Sequence, residues 1–129
     1  MYVDFYLSAQ HPCILFLLQS TNDRTHLLEL FRGLADRRIS KCALWQAEWT
    51  EFSTSCPPII LQLVRNEESW QILYENTNAD GKVLVWSRHE EGWLECAEKI
   101  AALTASGHQY MGTGEAEIEV SFLEALKKI

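Results

Sequence analysis

The chain has 129 residues, of which 47% are hydrophobic and 22% charged, and its formal net charge at pH 7 is −7. This length and composition predict a single α+β domain over residues 1–129 and disfavour intrinsic disorder, because apolar residues are plentiful. The acidic balance argues against nucleic-acid binding, since proteins that bind phosphates carry clustered lysine and arginine.

The net negative charge comes entirely from the second half of the chain. Residues 1–65 carry six basic and six acidic side chains, whereas residues 66–129 carry five basic and twelve acidic ones. Such an asymmetry bears on the choice of partner and on the rate of encounter rather than on the fold. It predicts a positively charged partner.

Targeting signals and cysteines indicate the compartment. The first residues, Met1–Asp4, lack the basic start of a signal peptide, and the longest apolar run is Cys13–Leu18. A membrane helix needs about 20 apolar residues, so we expect a soluble cytoplasmic protein without membrane contact. The four cysteines are scattered, which predicts reduced thiols. Cys56, just before Pro57-Pro58, is predicted to be the most exposed of them.

The first half of the chain begins with two predicted strands and a helix. Tyr2–Leu7 alternates apolar and polar residues, and Cys13–Leu18 is a short apolar run. A cluster of capping residues at 20–23 precedes apolar residues at helical spacing, which predicts a helix from about Asp23 to Arg37. Gly33 inside this helix predicts a close approach to a neighbour.

The next segment, Lys41–Phe52, fits two structures. Its alternating pattern favours a strand, whereas Trp45, Trp49 and Phe52 would also fit one face of a helix. We interpret it as a strand.

Three strand-like segments follow in close succession: Ile59–Arg65, Trp70–Asn76 and Lys82–Ser87. The dipeptide Asp80-Gly81 is typical of a hairpin turn, so the three are predicted to form an antiparallel meander. Both faces of these strands are apolar, and such a sheet must be covered by helices or by another chain.

A second helix is predicted after the capping-box pattern Ser87–Glu90, with Trp93 on its inner face and Gly107 at its end. Its outer face carries Glu91, Glu95 and Glu98.

The last strand is predicted at Glu115–Phe122, followed by a short helix at Leu123–Ile129. Its glutamates Glu115, Glu117 and Glu119 alternate with apolar residues, so the three carboxylates share one face. The predicted order is ββα-β-βββ-α-β, which indicates an α+β fold with a mostly antiparallel sheet and two main helices.

Catalytic and metal-binding patterns do not occur. The spacing of the four histidines and four cysteines fits no common zinc site, and there is no phosphate-binding loop or nucleophile elbow. We therefore expect no metal, no cofactor and no enzymatic activity.

The charge distribution favours a small binding protein that neutralises a basic protein partner, most concretely an immunity protein that inhibits a toxin such as a nuclease. Aromatic residues of the central strands are also predicted to contact this partner, because tyrosine and tryptophan are enriched in binding hot spots. The predicted contact residues are the glutamates Glu91, Glu95, Glu98, Glu115, Glu117 and Glu119 and the aromatic residues Trp70, Tyr74 and Trp86. Two alternatives stay open: a homodimeric structural or regulatory domain, and a small enzyme or ligand-binding module.

Overall fold

The computed structural model describes residues 1–8, 11–65, 73–78, 81–105, 107–111 and 117–123, and for residues 73–78 only the backbone path. The helices are α1 (Thr21–Ala35) and α2 (Glu90–Ala101). The strands are β1 (Tyr2–Ser8), β2 (His11–Leu18), β3 (Lys41–Ala43), β4 (Glu51–Phe52), β5 (Ile59–Leu63), β6 (Leu73–Asn78), β7 (Gly81–Arg88), β8 (His108–Tyr110) and β9 (Glu117–Phe122).

The strands form two mixed sheets. The five-stranded sheet has the order β4-β1-β2-β9-β8, and the four-stranded sheet has the order β3-β5-β7-β6. The last strand, β9, pairs in parallel with β2 and antiparallel with β8. The predicted α+β fold with two main helices is confirmed, but the sheets are mixed rather than mostly antiparallel.

The predicted order of the three central strands is wrong. β6 and β7 form the predicted hairpin, but β5 pairs in parallel with β7, with Leu61 opposite Trp86. β7 lies between β5 and β6, and its residues Leu84, Val85 and Trp86 are all buried. The largely polar strand β6 lies at the edge of the sheet, where polar sequences are tolerated.

The segment Lys41–Phe52 is not one strand. Only Lys41–Ala43 is extended before a 3-10 helix at Leu44–Gln46, and pairing resumes at β4. The Thr50 hydroxyl donates to the carbonyl oxygens of Leu44 and Ala47, both at 2.8 Å. Such side-chain bonds to the backbone compete with a strand ladder, which period-two alternation does not reveal.

Helix α1 begins and ends two residues earlier than predicted. The Ser20 hydroxyl caps it by accepting from the Asp23 N–H at 3.2 Å, and Arg37 adopts a left-handed conformation (φ 68°) just after its end. The Ile39 N–H then donates to the Gly33 carbonyl. A Cβ on Gly33 would lie 2.6 Å from Ile39 Cδ1, which confirms the predicted close approach.

Helix α2 is capped by His89 rather than Ser87. His89 Nδ1 accepts from the Gly92 N–H at 3.2 Å, while Ser87 lies within β7 and its hydroxyl accepts from Gln62. The capping box fails because pairing with β5 continues to Arg88. The helix also ends well before Gly107.

A buried aromatic cluster joins the two sheets and both helices. Trp86 of β7 lies 6.1 Å from Phe16 of β2, 5.7 Å from Phe31 of α1 and 4.8 Å from Trp93 of α2, measured between ring centroids. Trp93 Nε1 donates to the Gln62 carbonyl at 3.1 Å. The predicted inward orientation of Trp93 is confirmed.

Neither of the two described helices is long and apolar enough to cross a membrane.

Candidate functional site

The structure separates the nine predicted contact residues into three groups. Glu115 and Trp70 lie outside the described residues, as does the side chain of Tyr74. Trp86 is fully buried, so its prediction as an exposed contact residue is wrong. Alternation along β7 turns it towards the core, together with Leu84. The remaining glutamates lie on two different surfaces.

The first surface is the outer face of α2, where Glu91, Glu95 and Glu98 are exposed. Cationic side chains lie next to one of these carboxylates, Glu95. Glu95 lies 3.9 Å from the Arg88 guanidinium and 3.7 Å from the Lys99 ammonium. Glu90, in the first turn, pairs with Arg37. The charge of Glu95 is therefore partly compensated, as is that of Glu90 beside this face.

The second surface is the side of the five-stranded sheet that points away from the aromatic cluster, here named the outer face. Its described residues from β1, β2, β8 and β9 are Tyr2, Asp4, Tyr6, Cys13, Leu15, Leu17, His108, Tyr110, Glu117, Glu119 and Ser121. No lysine or arginine occurs in these four strands. Glu117 and Glu119 thus share a surface whose strands bring no fixed positive charge to it.

Strand register places two tyrosines on either side of these glutamates. Cys13 of β2 is paired with Tyr6 of β1 on one side and with Glu117 of β9 on the other. Tyr110 of β8 is paired directly with Glu119. Tyr6 is 45% exposed and Tyr110 is 51% exposed. The two carboxylates therefore lie between two rings that are open to solvent.

Glu119 and Glu117 are held by neighbours of the same face. The Tyr110 hydroxyl is hydrogen-bonded to Glu119, and His108 Nδ1 lies 3.8 Å from a Glu119 oxygen and 2.6 Å from the Ser121 hydroxyl. The Cys13 thiol lies 3.9 Å from Glu117 Oε2. These contacts orient the carboxylates without introducing a permanent cation.

The tyrosines and glutamates influence one another electrostatically. The hydrogen bond to Glu119 raises the pKa of Tyr110, and the nearby charges of Glu119 and Glu117 raise it further. Burial raises the pKa of Tyr6, with contributions from Cys13 and both carboxylates. Both phenols therefore stay protonated at neutral pH and can donate hydrogen bonds.

Asp4, on the β1 side of the face, has a structural role. Its Oδ1 accepts from the Ser53 hydroxyl at 2.6 Å and from the Phe5 N–H at 2.8 Å. The Ser53 hydrogen bond is the main cause that lowers the pKa of Asp4. The carboxylate thereby connects β1 to the segment after β4.

Burial raises the pKa values of two of the thiols strongly. None of the four cysteines, all of which the structure describes, forms a disulfide bond. Cys56, predicted to be the most exposed, is partly buried, and burial raises its pKa to about 12. Burial likewise raises the pKa of Cys96 to about 11, against the opposing effect of Arg88. Within the described ranges, no three histidine, cysteine, aspartate or glutamate side chains form a group that could hold a metal ion.

A groove of about 470 Å³ lies between the end of α1 and the start of α2. It is lined by Arg32, Ala35, Asp36, Arg38, Glu90, Glu91 and Leu94. Two arginines and three carboxylates contribute to this lining, so it combines charges of both signs.

Sequence reasoning identified Glu117 and Glu119 but not the tyrosines beside them. The alternation in β1 places Tyr6 on the side opposite Val3 and Phe5, which indicated that it faces away from the core. Its position near Glu117 depends on the pairing of β1 with β2 and of β2 with β9, which the local sequence does not specify. Tyr110 lies in β8, a three-residue strand that periodicity did not predict. Comparison with protein-family models, curated proteins and solved structures gave no match, so no relative assigns a function to this site.

Proposed function

We propose that this chain is a non-catalytic binding protein that neutralises a basic protein partner through the outer face, most concretely as an immunity protein that inhibits a toxin such as a nuclease. One observation carries the proposal. Glu117 and Glu119 lie between the half-exposed rings of Tyr6 and Tyr110, on strands that contain no lysine or arginine.

Two physical properties of this face support protein binding. Carboxylates on strands that contain no lysine or arginine create a field that attracts a cationic partner and accelerates association. Tyrosines add large contact area at a low cost in conformational entropy. A nuclease binds phosphates with cationic side chains, and a surface of carboxylates can occupy that site in their place.

The outer face of α2 has a smaller role in this proposal. Arg88 and Lys99 already interact with Glu95, and Arg37 with Glu90, so a cationic partner gains less at these two residues. The exposed Glu91 and Glu98 keep their predicted role of attracting a basic partner.

The experiment has two steps. The protein is used as bait in a lysate of its native host, and the association kinetics of the captured protein are then measured at several salt concentrations. The test variant is Glu117→Gln/Glu119→Gln. The matched control is Glu95→Gln/Glu98→Gln, which removes the same charge from α2. We expect the test variant to slow association about tenfold at low salt, and the control about twofold or less.

Three outcomes would contradict the proposal: an acidic partner, association that does not depend on salt, or equal effects of the two variants. Size-exclusion chromatography of the free protein gives an additional check. A stable dimer that buries Tyr6 and Tyr110 would favour a homodimeric domain instead.

A further inference from the structure

We infer that the outer face binds one arginine side chain of the basic partner, seated between the rings of Tyr6 and Tyr110 and paired with Glu117 and Glu119. This inference rests on the proposed function and specifies the chemistry of its central contact.

The two tyrosines approach the carboxylates from opposite sides. Tyr6 hydrogen-bonds to the Cys13 side chain, so it leans across β2 towards β9. Tyr110 leans from β8 onto Glu119 by its own hydrogen bond. Neighbouring strands are about 4.8 Å apart, so β1 and β8 are separated by about 14 Å, and the rings converge on the space over β2 and β9.

The small Cys13 side chain makes room for this convergence. It lies between Tyr6 and Glu117 in the strand register and is almost completely buried. A longer residue at this position would rise between the ring and the carboxylate. With cysteine there, Tyr6 can present its ring next to Glu117.

Arginine fits this arrangement better than lysine. The guanidinium is planar, forms paired hydrogen bonds with carboxylates and stacks on aromatic rings. A lysine ammonium is a strongly hydrated point charge that gains less from ring faces. Two carboxylates next to two phenol rings therefore select the guanidinium among protein cations.

Among the described residues near this edge, Lys99 and His108 already have partners within the chain. The Lys99 ammonium donates to the Tyr110 carbonyl oxygen at 2.8 Å and lies 3.7 Å from Glu95. His108 contacts Ser121 and Glu119. A guanidinium from a partner would thus supply a fixed charge that the four strands do not contain.

The test titrates the full chain with three capped amino acids and follows the ring resonances of Tyr6 and Tyr110 by NMR. The probes are N-acetyl-arginine amide, N-acetyl-lysine amide and N-acetyl-citrulline amide, the last being a neutral analogue of arginine. We expect saturable shifts at both tyrosines with arginine, binding at least about threefold weaker with lysine, and no saturation with citrulline.

Variants locate the binding. Glu117→Gln should abolish saturation by arginine, whereas Glu98→Gln, the matched loss of one carboxylate on α2, should leave it unchanged. Tyr6→Phe keeps the ring and should retain binding, while Tyr6→Ser should lose it. An unchanged backbone NMR spectrum away from β1, β2 and β9 shows that each variant is folded.

Failure of this inference can be told apart from failure of the proposed function. Equal binding of arginine and lysine, or saturation by citrulline, would overturn the arginine site and leave an acidic partner-binding face. Saturation by arginine that persists in Glu117→Gln would place the site elsewhere and overturn the inference as well. The proposed function depends only on the captured partner and its association kinetics.

Discussion

The two glutamate-bearing surfaces differ in what surrounds the carboxylates. On α2, Glu95 lies within 4 Å of both Arg88 and Lys99. On the outer face, the hydrogen-bonding neighbours of Glu119 are uncharged groups and one histidine. The sequence pattern is similar in both places. In α2 the glutamates recur at helical spacing and in β9 at every second residue, in each case with apolar residues on the opposite face.

This difference shows that a row of acidic residues does not by itself predict an acidic surface. Arg37 comes from the end of α1 and Arg88 from the end of β7, so tertiary packing brings the counter-ions of α2 together. β9 lies between β2 and β8, and neither strand contains lysine or arginine. The electrostatic character of each surface is thus determined by its neighbours in space.

The largest expected effect on stability distinguishes the buried face of α2 from its exposed face. Trp93→Ala removes a ring that packs against Phe31 and Trp86 and breaks the hydrogen bond to the Gln62 carbonyl. We expect a loss of about 3–5 kcal/mol in the free energy of unfolding. Glu95→Ala, at a position 57% exposed, should change it by less than about 0.5 kcal/mol. Urea titrations measure both, and similar losses would contradict the assigned helix faces.

The next effect tests the structural carboxylate of the outer face. Asp4→Asn removes the charge that accepts from the Ser53 hydroxyl, and we expect a loss of about 1 kcal/mol at pH 7. Because the pKa of Asp4 is lowered in the folded state, its contribution is present above the ordinary carboxyl pKa of 3.8 and is lost as the pH falls below it.

Unfolding titrations of wild type and Asp4→Asn should therefore converge in acid. The exposed Glu98→Gln provides the control, with little difference at either pH. A difference for Asp4→Asn that grows as the pH falls would contradict the sign of the pKa shift.

A smaller effect of opposite sign is expected at the end of α1. Arg37 has φ 68°, a left-handed conformation that glycine adopts more easily. Arg37→Gly should raise stability by about 0.5–1 kcal/mol, since its ion pair with Glu90 is exposed and contributes little. The neighbouring Arg38→Gly, without the positive φ, serves as the control and should not stabilise. Thermal unfolding measures both variants.

The smallest effect concerns thiol chemistry rather than stability. Burial raises the pKa of Cys56 to about 12 and that of Cys96 to about 11, so few thiolates exist at pH 8. We expect iodoacetamide to modify both slowly in the folded protein and rapidly in urea. Rapid native modification of Cys56 would contradict its burial, and mass spectrometry of the alkylated peptides gives the rates.

Local patterns predicted much of the fold and part of the site. The β1–β2 pair, both helices and the β6–β7 hairpin follow from periodicity and capping or turn residues within each segment. The pairing of Cys13 with Glu117 joins positions 104 residues apart, and no local period specifies it. For this reason Glu117 and Glu119 were predicted, whereas their position next to Tyr6 was not.

The central place of β9 has a consequence for how the protein forms. β1 and β2 leave the ribosome before β9 and can pair with each other, but the other edge of β2 gains its parallel partner only when β9 has been synthesised. Until then the apolar segment Cys13–Leu18 presents unpaired backbone groups, a template for aggregation. Pairing over this separation also slows folding, because a long loop must close first. The outer face is therefore completed only after β9 has joined β2.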